Sequence, residues 1–148
     1  MKSVIFSAVM LIGSMLMTKS VNAQPTVEAG PKIEFSKEVH DYGEIKYGAN
    51  GTCVFSFKNT GNAPLIISKA QGSCGCTVPS WPKEPIAPGA TSEITVKYDT
   101  KRPGPIAKSV TITSNAVNHP TKVIRIKGKV GPAPSNPTPV NNSGPGNH

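Results

Sequence analysis

The sequence predicts an all-β fold, an immunoglobulin-like β-sandwich of about seven antiparallel strands in a single domain. Its 148 residues include 15 prolines and 14 glycines, which disfavour the interiors of helices. Apolar and polar residues alternate with a period of two, in runs that turn sequences interrupt roughly every ten residues. Alternation of this kind fits antiparallel sheets packed face to face with a polar outer surface. A small β-barrel is the alternative, because strand spacing does not separate the two architectures.

The first half of the predicted domain contains four extended segments. A turn sequence at residues 48–51 precedes the third, and another at 59–62 (Asn-Thr-Gly-Asn) reverses the chain into the fourth. Apolar side chains recur along each segment, mostly at alternate positions that share one face of a strand. These side chains are Ile33 and Phe35, then Tyr42 and Ile45, then Cys53, Phe55 and Phe57, and finally those of residues 65–70.

The second half contains an irregular stretch followed by three more strands, with turn sequences at residues 87–90 and 102–105. The last strand carries Arg125, Lys127 and Lys129 on its polar face, and we interpret it as an edge strand that charge protects against aggregation. Attraction to anionic polymers or lipid headgroups is the alternative. The apolar faces hold Ile94, Val96 and Tyr98, then Val110 and Ile112, then Ile124, Ile126 and Val130.

The first 23 residues are typical of a signal peptide. Met1 and Lys2 give a short positive start, and an apolar run of 14 residues follows, shorter than the roughly 20 that span a bilayer. Val21 and Ala23 then supply the small residues of a cleavage site. We predict cleavage after Ala23 and export to the periplasm or the extracellular space, with no membrane span after cleavage. An uncleaved helical anchor is the alternative.

Three segments follow the predicted cleavage site. We assign residues 24–31 to a flexible N-terminal segment, residues 32–130 to the sandwich domain and residues 131–148 to a disordered tail. The tail holds five prolines and three glycines without an aromatic residue, so it cannot bury enough apolar surface to offset its ordering entropy. Because two basic residues leave with the signal peptide, the mature chain has a net charge of +6.

Three cysteines remain in the mature chain, and an odd number leaves one thiol unpaired unless the chain dimerises or binds something. A disulfide between Cys74 and Cys76 would close a small, strained and therefore reducible ring. The turn at Gly61 instead sets Cys53 level with Ala70, a few residues from both other cysteines. We therefore favour a bridge from Cys53 to Cys74 or Cys76, which the loop-closure model assigns about 3 kcal/mol.

Other roles for the cysteines stay open. Cys53 lies on an apolar strand face and also fits a buried small hydrophobe. Two thiolates one residue apart, those of Cys74 and Cys76, could hold a soft ion such as Cu(I). A zinc site needs four ligands, and no second pair of cysteines is present. We assign no metal.

The sequence contains no recognisable catalytic motif. It has no G-x-S-x-G elbow, no H-E-x-x-H pair and no Walker loop, and its eight acidic residues form no pair spaced for general acid–base work. We therefore predict a protein that is not an enzyme, with no catalytic residues and no cofactor. Nucleic acid is not expected as a partner, because basic and aromatic residues do not interleave.

The segment from Phe57 to Asp99 combines several specific motifs: F-K-N-T-G-N-A-P-L-I-I-S, S-C-G-C-T-V, W-P-K-E-P-I-A-P-G-A and I-T-V-K-Y-D. Together they resemble DUF1573, a bacterial family of unknown function that is common in exported proteins, and the resemblance covers nearly all of residues 32–130. It implies an immunoglobulin-like sandwich of the broad class that includes major sperm protein and Hydin-type domains, which mostly act in protein interaction and assembly. The family brings no catalytic residues, and Cys53 is not part of its motif.

We predict a non-catalytic, exported module for protein interaction or envelope structure. Loops on a rigid scaffold usually carry binding, so the candidate contacts for an unidentified protein or envelope component are Thr77, Val78 and Trp81. Trp81 is either an exposed aromatic for the partner or a lid over the end of the sandwich. The alternative is a periplasmic thiol protein that binds copper or exchanges disulfides through Cys74 and Cys76. A third hypothesis is binding to envelope polysaccharide through Lys127 and Lys129.

Overall fold

A computed structural model describes residues 29–135 as a sandwich of eight β-strands. The predicted signal peptide and most of the predicted tail lie outside these residues. Between residues 29 and 135 no helix is long and apolar enough to cross a bilayer. The strands are β1 (Ile33–Phe35), β2 (Val39–Ile45), β3 (Thr52–Asn59), β4 (Ile67–Gly72), β5 (Thr77–Ser80), β6 (Thr91–Tyr98), β7 (Gly104–Ser114) and β8 (Thr121–Val130).

Two four-stranded sheets face each other: sheet A has the order β1-β3-β6-β5, and sheet B has the order β2-β8-β7-β4. These orders correspond to the ABED and CFG sheets of an immunoglobulin domain, with one strand added beside the last. The predicted immunoglobulin-like sandwich is therefore confirmed, with eight strands rather than seven. The strand that the sequence did not predict is β5, which is only four residues long and contains Pro79, so it leaves little alternation to detect.

One strand pair departs from the predicted antiparallel arrangement, because β2 runs parallel to β8. The chain passes from β1 to β2 through only Ser36–Glu38. A link so short, with no turn sequence, lets the chain continue in one direction into the opposite sheet, where it meets the last strand side by side.

The hydrophobic core lies between the sheets and consists of the side chains that alternate inward. Phe55 and Phe57 of β3 are fully buried, as are Ile94 and Val96 of β6 and Ile124 of β8. Burying a side chain of this size stabilises a fold by about 1.5–3 kcal/mol. The predicted core faces are therefore confirmed for the central strands.

Asn59 explains the turn that follows β3. Its side chain is fully buried and uses its whole hydrogen-bonding capacity. The Oδ1 atom accepts hydrogen bonds from the N–H groups of Gly61 (3.0 Å) and Lys32 (3.3 Å), and the Nδ2 atom donates to the C=O groups of Ala63 (2.8 Å) and Ile86 (2.9 Å). One amide thus ties the start of β1, the turn and the segment before β6 together.

The segment that precedes β1 is less free than predicted. The backbone N–H of Gly30 donates to the Asn62 side chain (2.7 Å), and its C=O accepts from the Asn62 N–H (3.1 Å). The C=O of Pro31 accepts from the N–H of Val117 (2.8 Å), and Pro31 is buried. Gly30 and Pro31, which we assigned to a flexible segment, are therefore held against two loops of the sandwich.

The chain changes sheet along two sides of the sandwich, which we name for use below. The open flank consists of β1, residues 36–38 and β2, where the chain crosses from sheet A to sheet B. The cysteine flank consists of β4, residues 73–76 and β5, where the chain crosses from sheet B to sheet A. Each flank contains one edge strand of each sheet.

The basic strand β8 is not an edge strand, which corrects our interpretation of its charges. It lies between β2 and β7, and β2 and the link before it supply acids that face its lysines. The salt bridges join Lys122 to Glu38 (2.5 Å), Lys127 to Asp41 (3.2 Å) and Lys129 to Glu44 (3.6 Å). The sequence could not indicate this pairing, because strands distant in the chain form it.

Candidate functional site

The segment Cys74–Thr77 is a turn that backbone hydrogen bonds fasten to both sheets. The N–H of Thr77 donates to the C=O of Cys74 (3.2 Å) and closes the turn. On one side the N–H of Ser73 donates to the C=O of Ser109 in β7 (2.8 Å). On the other the N–H of Asp99, just after β6, donates to the C=O of Cys76 (2.9 Å). The turn is therefore positioned by bonds that involve no sulfur atom.

The structure pairs Cys74 with Cys76, whose Cα atoms are 5.2 Å apart, and leaves Cys53 unpaired and buried. The bridge that we favoured from Cys53 is therefore wrong. Our argument counted residues from the turn at Gly61, whether the two strands shared a sheet or faced each other across the core. The strands β3 and β4 do belong to different sheets, but the count did not decide which cysteines pair. Meanwhile the tight turn holds Cys74 and Cys76 close enough to pair with each other.

Cys53 lies beside Tyr42 in the core. Burial raises the pKa of the Cys53 thiol above its ordinary value. Since the thiolate is the reactive form of cysteine, a buried thiol with a raised pKa is chemically inert. Tyr42 donates a hydrogen bond to the C=O of Gly51 (2.6 Å), and burial also raises its pKa. These two groups therefore belong to the packing of the fold.

Thr77 places a hydroxyl group next to both sulfur atoms of the turn. Its Oγ1 atom is 3.6 Å from the Sγ of Cys74 and 3.8 Å from the Sγ of Cys76. Thr77 is only 2% exposed, so its side chain cannot contact a partner, contrary to our prediction. A Cβ on Gly72 would collide with the Thr77 carbonyl oxygen, so β4 and β5 approach closely at this point.

The two sulfur atoms differ in accessibility. Cys76 is buried in the core, while Cys74 is half-buried at its margin. Gly75 between them is exposed, and a Cβ at this position would meet no atom within 4 Å. A reagent in solution therefore reaches the turn from the side of Gly75 and meets Cys74 first.

Val78 and Trp81 continue the chain beyond the turn. Val78 is 58% exposed, more than any other large apolar side chain between residues 29 and 135, and it lies opposite Lys97 of β6. Trp81 packs partly against the core, and the Lys83 ammonium lies 3.2 Å above the centre of its ring. Trp81 therefore fits neither predicted role fully, because its ring is half-buried and one face is covered by Lys83. Of our three candidate contacts, only Val78 is freely accessible.

The remaining titratable groups do not converge on a reactive centre. Burial and the neighbouring Lys37 lower the pKa of His40. Hydrogen bonds from the N–H of Gly43 and from Lys127 lower the pKa of Asp41. Within the part of the chain that the structure describes, no three His, Cys, Asp or Glu side chains are grouped to hold a metal ion.

Sequence reasoning missed Ser73, Ser109 and Asp99, which fasten the turn, because no local pattern marks them.

Comparison with solved structures shows what this fold is similar to. A protein of unknown function from Porphyromonas gingivalis W83 matches with a TM-score of 0.61 and 18% identity, over 74% of this chain and 51% of that one. The PapD-like domain 7 of human CEP192 matches with a TM-score of 0.57 and 12% identity, over 80% of this chain and 99% of that one. The VesB protease of Vibrio cholerae matches with a TM-score of 0.54 and 13% identity, over 68% of this chain and 32% of that one.

At these identities the likeness concerns the fold alone. The chain spans about half the length of the Porphyromonas protein and about a third of the VesB chain. No curated protein matches the sequence. The sequence profile of one family, described as "Protein of unknown function (DUF1573)", matches residues 33–130, from the first residue of β1 to the last of β8. The chain therefore belongs to the DUF1573 family.

Proposed function

We propose that this protein is an exported, non-catalytic β-sandwich module that binds a partner protein or an envelope component at the surface formed by Val78 and the Cys74–Thr77 turn. The observation that carries the proposal is the rigid attachment of this turn to both sheets, next to the most exposed large apolar side chain of the described chain. Binding residues usually lie on loops that a rigid scaffold positions. A turn that is already ordered loses little conformational entropy when a partner docks.

Contact at this surface would use side chains rather than strand pairing. The N–H of Asp99 donates to the C=O of Cys76, so the backbone groups of Cys76 and of Val78, two residues further on, point towards β6. The backbone groups of Pro79 point outward, away from the sheet. Proline has no N–H to offer, and such residues protect edge strands from pairing with another chain. Val78 itself projects from the outer face of sheet A, where an apolar pocket on the partner would cover it.

Site-specific crosslinking tests this surface. A photo-reactive amino acid at position 78, introduced in the bacterium that expresses the protein, should capture one discrete species. The same residue at position 117, an exposed valine in a loop elsewhere, is the matched control. Capture from position 78 alone would support the proposal, while equal capture from both positions, or from neither, would refute it.

Export is a separate part of the proposal and has its own test. It is supported by the short apolar run and the small residues before position 24. Mass spectrometry of the protein from its native host should give a chain that begins at Gln24. An intact chain that begins at Met1 would refute cleavage and leave a membrane-anchored protein.

Thiol–disulfide exchange at Cys74 and Cys76 is the second candidate function. It is favoured by one observation: the backbone bonds that hold the turn would keep the two sulfurs adjacent after reduction. A thiolate of an external dithiol would attack the Cys74 sulfur, and Cys76 would leave as a thiolate beside the Thr77 hydroxyl. The second thiol of the reagent would then displace Cys74, leaving a protein dithiol and an oxidised reagent.

Thr77 provides the test of this candidate. Thr77→Val removes the hydroxyl with little change in shape, so the thiol pKa of the reduced turn should rise, whereas Thr77→Ser should keep the wild-type value. Ultraviolet absorbance of the thiolate measures both. Identical pKa values in the three proteins would exclude a role for the hydroxyl. The double variant Cys74→Ser, Cys76→Ser separates the two functions, because it should keep crosslinking at position 78 and lose exchange.

A further inference from the structure

The edge of sheet B at β2 presents backbone groups without partners. The N–H of Arg125 donates to the C=O of Glu38 (2.8 Å), and Val39 is the register partner of Arg125 in this parallel pair. In a parallel pair, a residue that forms these hydrogen bonds forms them with the two neighbours of its register partner. The register partner itself, here Val39, points its own N–H and C=O away from the other strand. Val39 and Asp41 therefore direct their backbone groups outward, and neither makes a backbone hydrogen bond on that side within residues 29–135.

The other three edges are each blocked at one or more outward positions. The Asn118 amide holds both outward groups of Ile33 in β1, accepting from its N–H and donating to its C=O at 3.0 Å each. In β5 the outward residue is Pro79, which has no N–H. In β4, Ala70 is only 7% exposed and Gly72 lies against the backbone of β5. Since native proteins normally protect such edges, the open one at β2 is a candidate for pairing with another chain.

The charge next to this edge is positive, and no acid within residues 29–135 neutralises Arg125 or Lys108 there. Three lysines of β8 pair with acids of β2 or of the link before it, but Arg125 has no carboxylate within salt-bridge distance in the described chain. Arg125 lies between Val39 and Ser109 in the register of the sheet. A groove of about 270 Å³ runs past it, lined by Lys108, Lys127 and the 45% exposed Val39 but by no acidic side chain.

We infer that β2 binds an extended, acidic segment of a partner protein, which pairs its backbone with Val39 and Asp41 and places a carboxylate on Arg125. Adjacent strands are about 4.8 Å apart, so a side chain on an added strand starts roughly 10 Å from β8. Glutamate and arginine together bridge that gap, and the shorter aspartate reaches it less well. The site therefore selects glutamate on the side that faces the groove.

The occupant is a partner segment rather than the tail of this chain. Residues 136–148 contain no acidic side chain that could neutralise Arg125. The mature net charge of +6 also favours an acidic partner by long-range attraction. The inference does not depend on the proposed surface at Val78, because β2 belongs to the open flank and Val78 to the cysteine flank.

Amide hydrogen exchange tests the inference directly. The probe is a blocked hexapeptide in which glutamate alternates with valine, added to the mature chain and followed by NMR. The amides of Val39 and Asp41 should exchange rapidly in the free protein and become protected with the peptide. The amide of His40 is the internal control, because it faces β8 and is protected from the start. Unchanged exchange at Val39 and Asp41 would overturn the inference.

Charge variants test the role of Arg125. Arg125→Gln should weaken peptide binding about fivefold, the size expected for one exposed ion pair. Arg102→Gln removes the same charge at a distant turn and should leave binding unchanged. A peptide with glutamine in place of glutamate should bind the wild type as weakly as the acidic peptide binds Arg125→Gln. Equal binding by all proteins and peptides would overturn the role of Arg125.

Two further results would assign this edge to another occupant. Protection of Val39 and Asp41 that appears without peptide as protein concentration rises would identify a second copy of the chain. Dextran sulfate that shifts the resonances around Arg125, combined with no amide protection by the peptide, would identify a general site for anionic polymers. Either result would overturn the inference of a partner segment.

Discussion

The cysteine flank and the open flank both carry the chain from one sheet to the other, yet they leave different parts of their edge strands accessible. On the cysteine flank, Gly72 of β4 lies against Thr77 of β5, and Pro79 blocks the outer edge. On the open flank, the Asn118 side chain covers Ile33 of β1, but nothing in the described chain covers Val39 of β2. Close backbone packing thus shuts a whole flank, whereas a side-chain cap protects one strand and leaves its neighbour available.

Gly72→Ala should have the largest effect of the variants described here, because it disrupts the close packing of β4 against β5 on the cysteine flank. The new methyl group would collide with the Thr77 carbonyl oxygen, a backbone atom that cannot rotate away. We expect a loss of about 3 kcal/mol in the free energy of unfolding, measured with urea. Gly75→Ala in the same turn is the control and should stay within about 0.5 kcal/mol of the wild type, because its methyl group enters open space. Equal stability of the two variants would show that close packing does not shut the cysteine flank.

Asn118→Ala should weaken the open flank by a smaller amount. It leaves both outward groups of Ile33 without a partner at a half-buried site, which costs about 2 kcal/mol. Asn118→Asp keeps the acceptor for the Ile33 N–H and loses the donor, so its stability should lie between those of Asn118→Ala and the wild type. Urea unfolding gives the stabilities, and faster exchange of the Ile33 amide would locate the loss at β1. An unchanged Ile33 amide in Asn118→Ala would contradict the cap.

The double variant Cys74→Ser, Cys76→Ser should lower the stability of the cysteine flank only slightly. A loop of three residues contributes about 1.5 kcal/mol in the chain-entropy model, and the hydrogen bonds to Ser109 and Asp99 remain. Thermal unfolding with and without reductant measures the difference. A loss well above 3 kcal/mol would mean that the pair, rather than those backbone bonds, holds the turn.

The pH dependence at His40 on the open flank should be the smallest effect. Burial and Lys37 lower its folded pKa, so the unfolded chain takes up a proton first as pH falls. Stability is therefore complete above the unfolded pKa of about 6.5 and decreases as pH falls towards the folded value. Between about pH 7.5 and 5.5 the melting temperature of His40→Gln should therefore fall less than that of the wild type. His119→Gln is the control, and an equal change in both variants would exclude His40.

Much of the sandwich follows from local alternation. Phe55, Phe57 and Ile94 are where the sequence predicts the core, because a half-buried strand imposes a period of two on its residues. Three features depend instead on contacts between distant segments. The parallel pairing of β2, the short strand β5 with Pro79 and the sheet that β4 joins cannot be inferred from the local pattern. The turn that brings Cys74 and Cys76 together also depends on distant contacts, those with Ser109 and Asp99, and our prediction for Cys53 did not include them.

The candidate site likewise has features that the local sequence indicates and features that only the fold shows. The S-C-G-C-T-V motif locates the turn in the sequence, since its two cysteines lie one residue apart in an irregular stretch between strands. Its rigidity comes from Ser109 and Asp99, which are ordinary polar residues until the fold places them beside it. The uncompensated charge of Arg125 is also hidden, because it becomes distinctive only when each lysine of β8 that forms a salt bridge is seen with its acid.

The parallel pair of β2 and β8 has a consequence for the order of folding. The strand β2 can join sheet B only beside β8, the last strand of the chain. The side chain that caps Ile33 of β1 is Asn118, 85 positions further along the chain. Contacts between such distant residues form slowly, because a long loop must close before they stabilise anything. A chain that emerges N-terminus first can pair β1 with β3 early, but it keeps β2 unpaired until β8 has appeared. The open flank is the last part of the molecule to assemble, and throughout that interval it is exposed to chaperones and proteases.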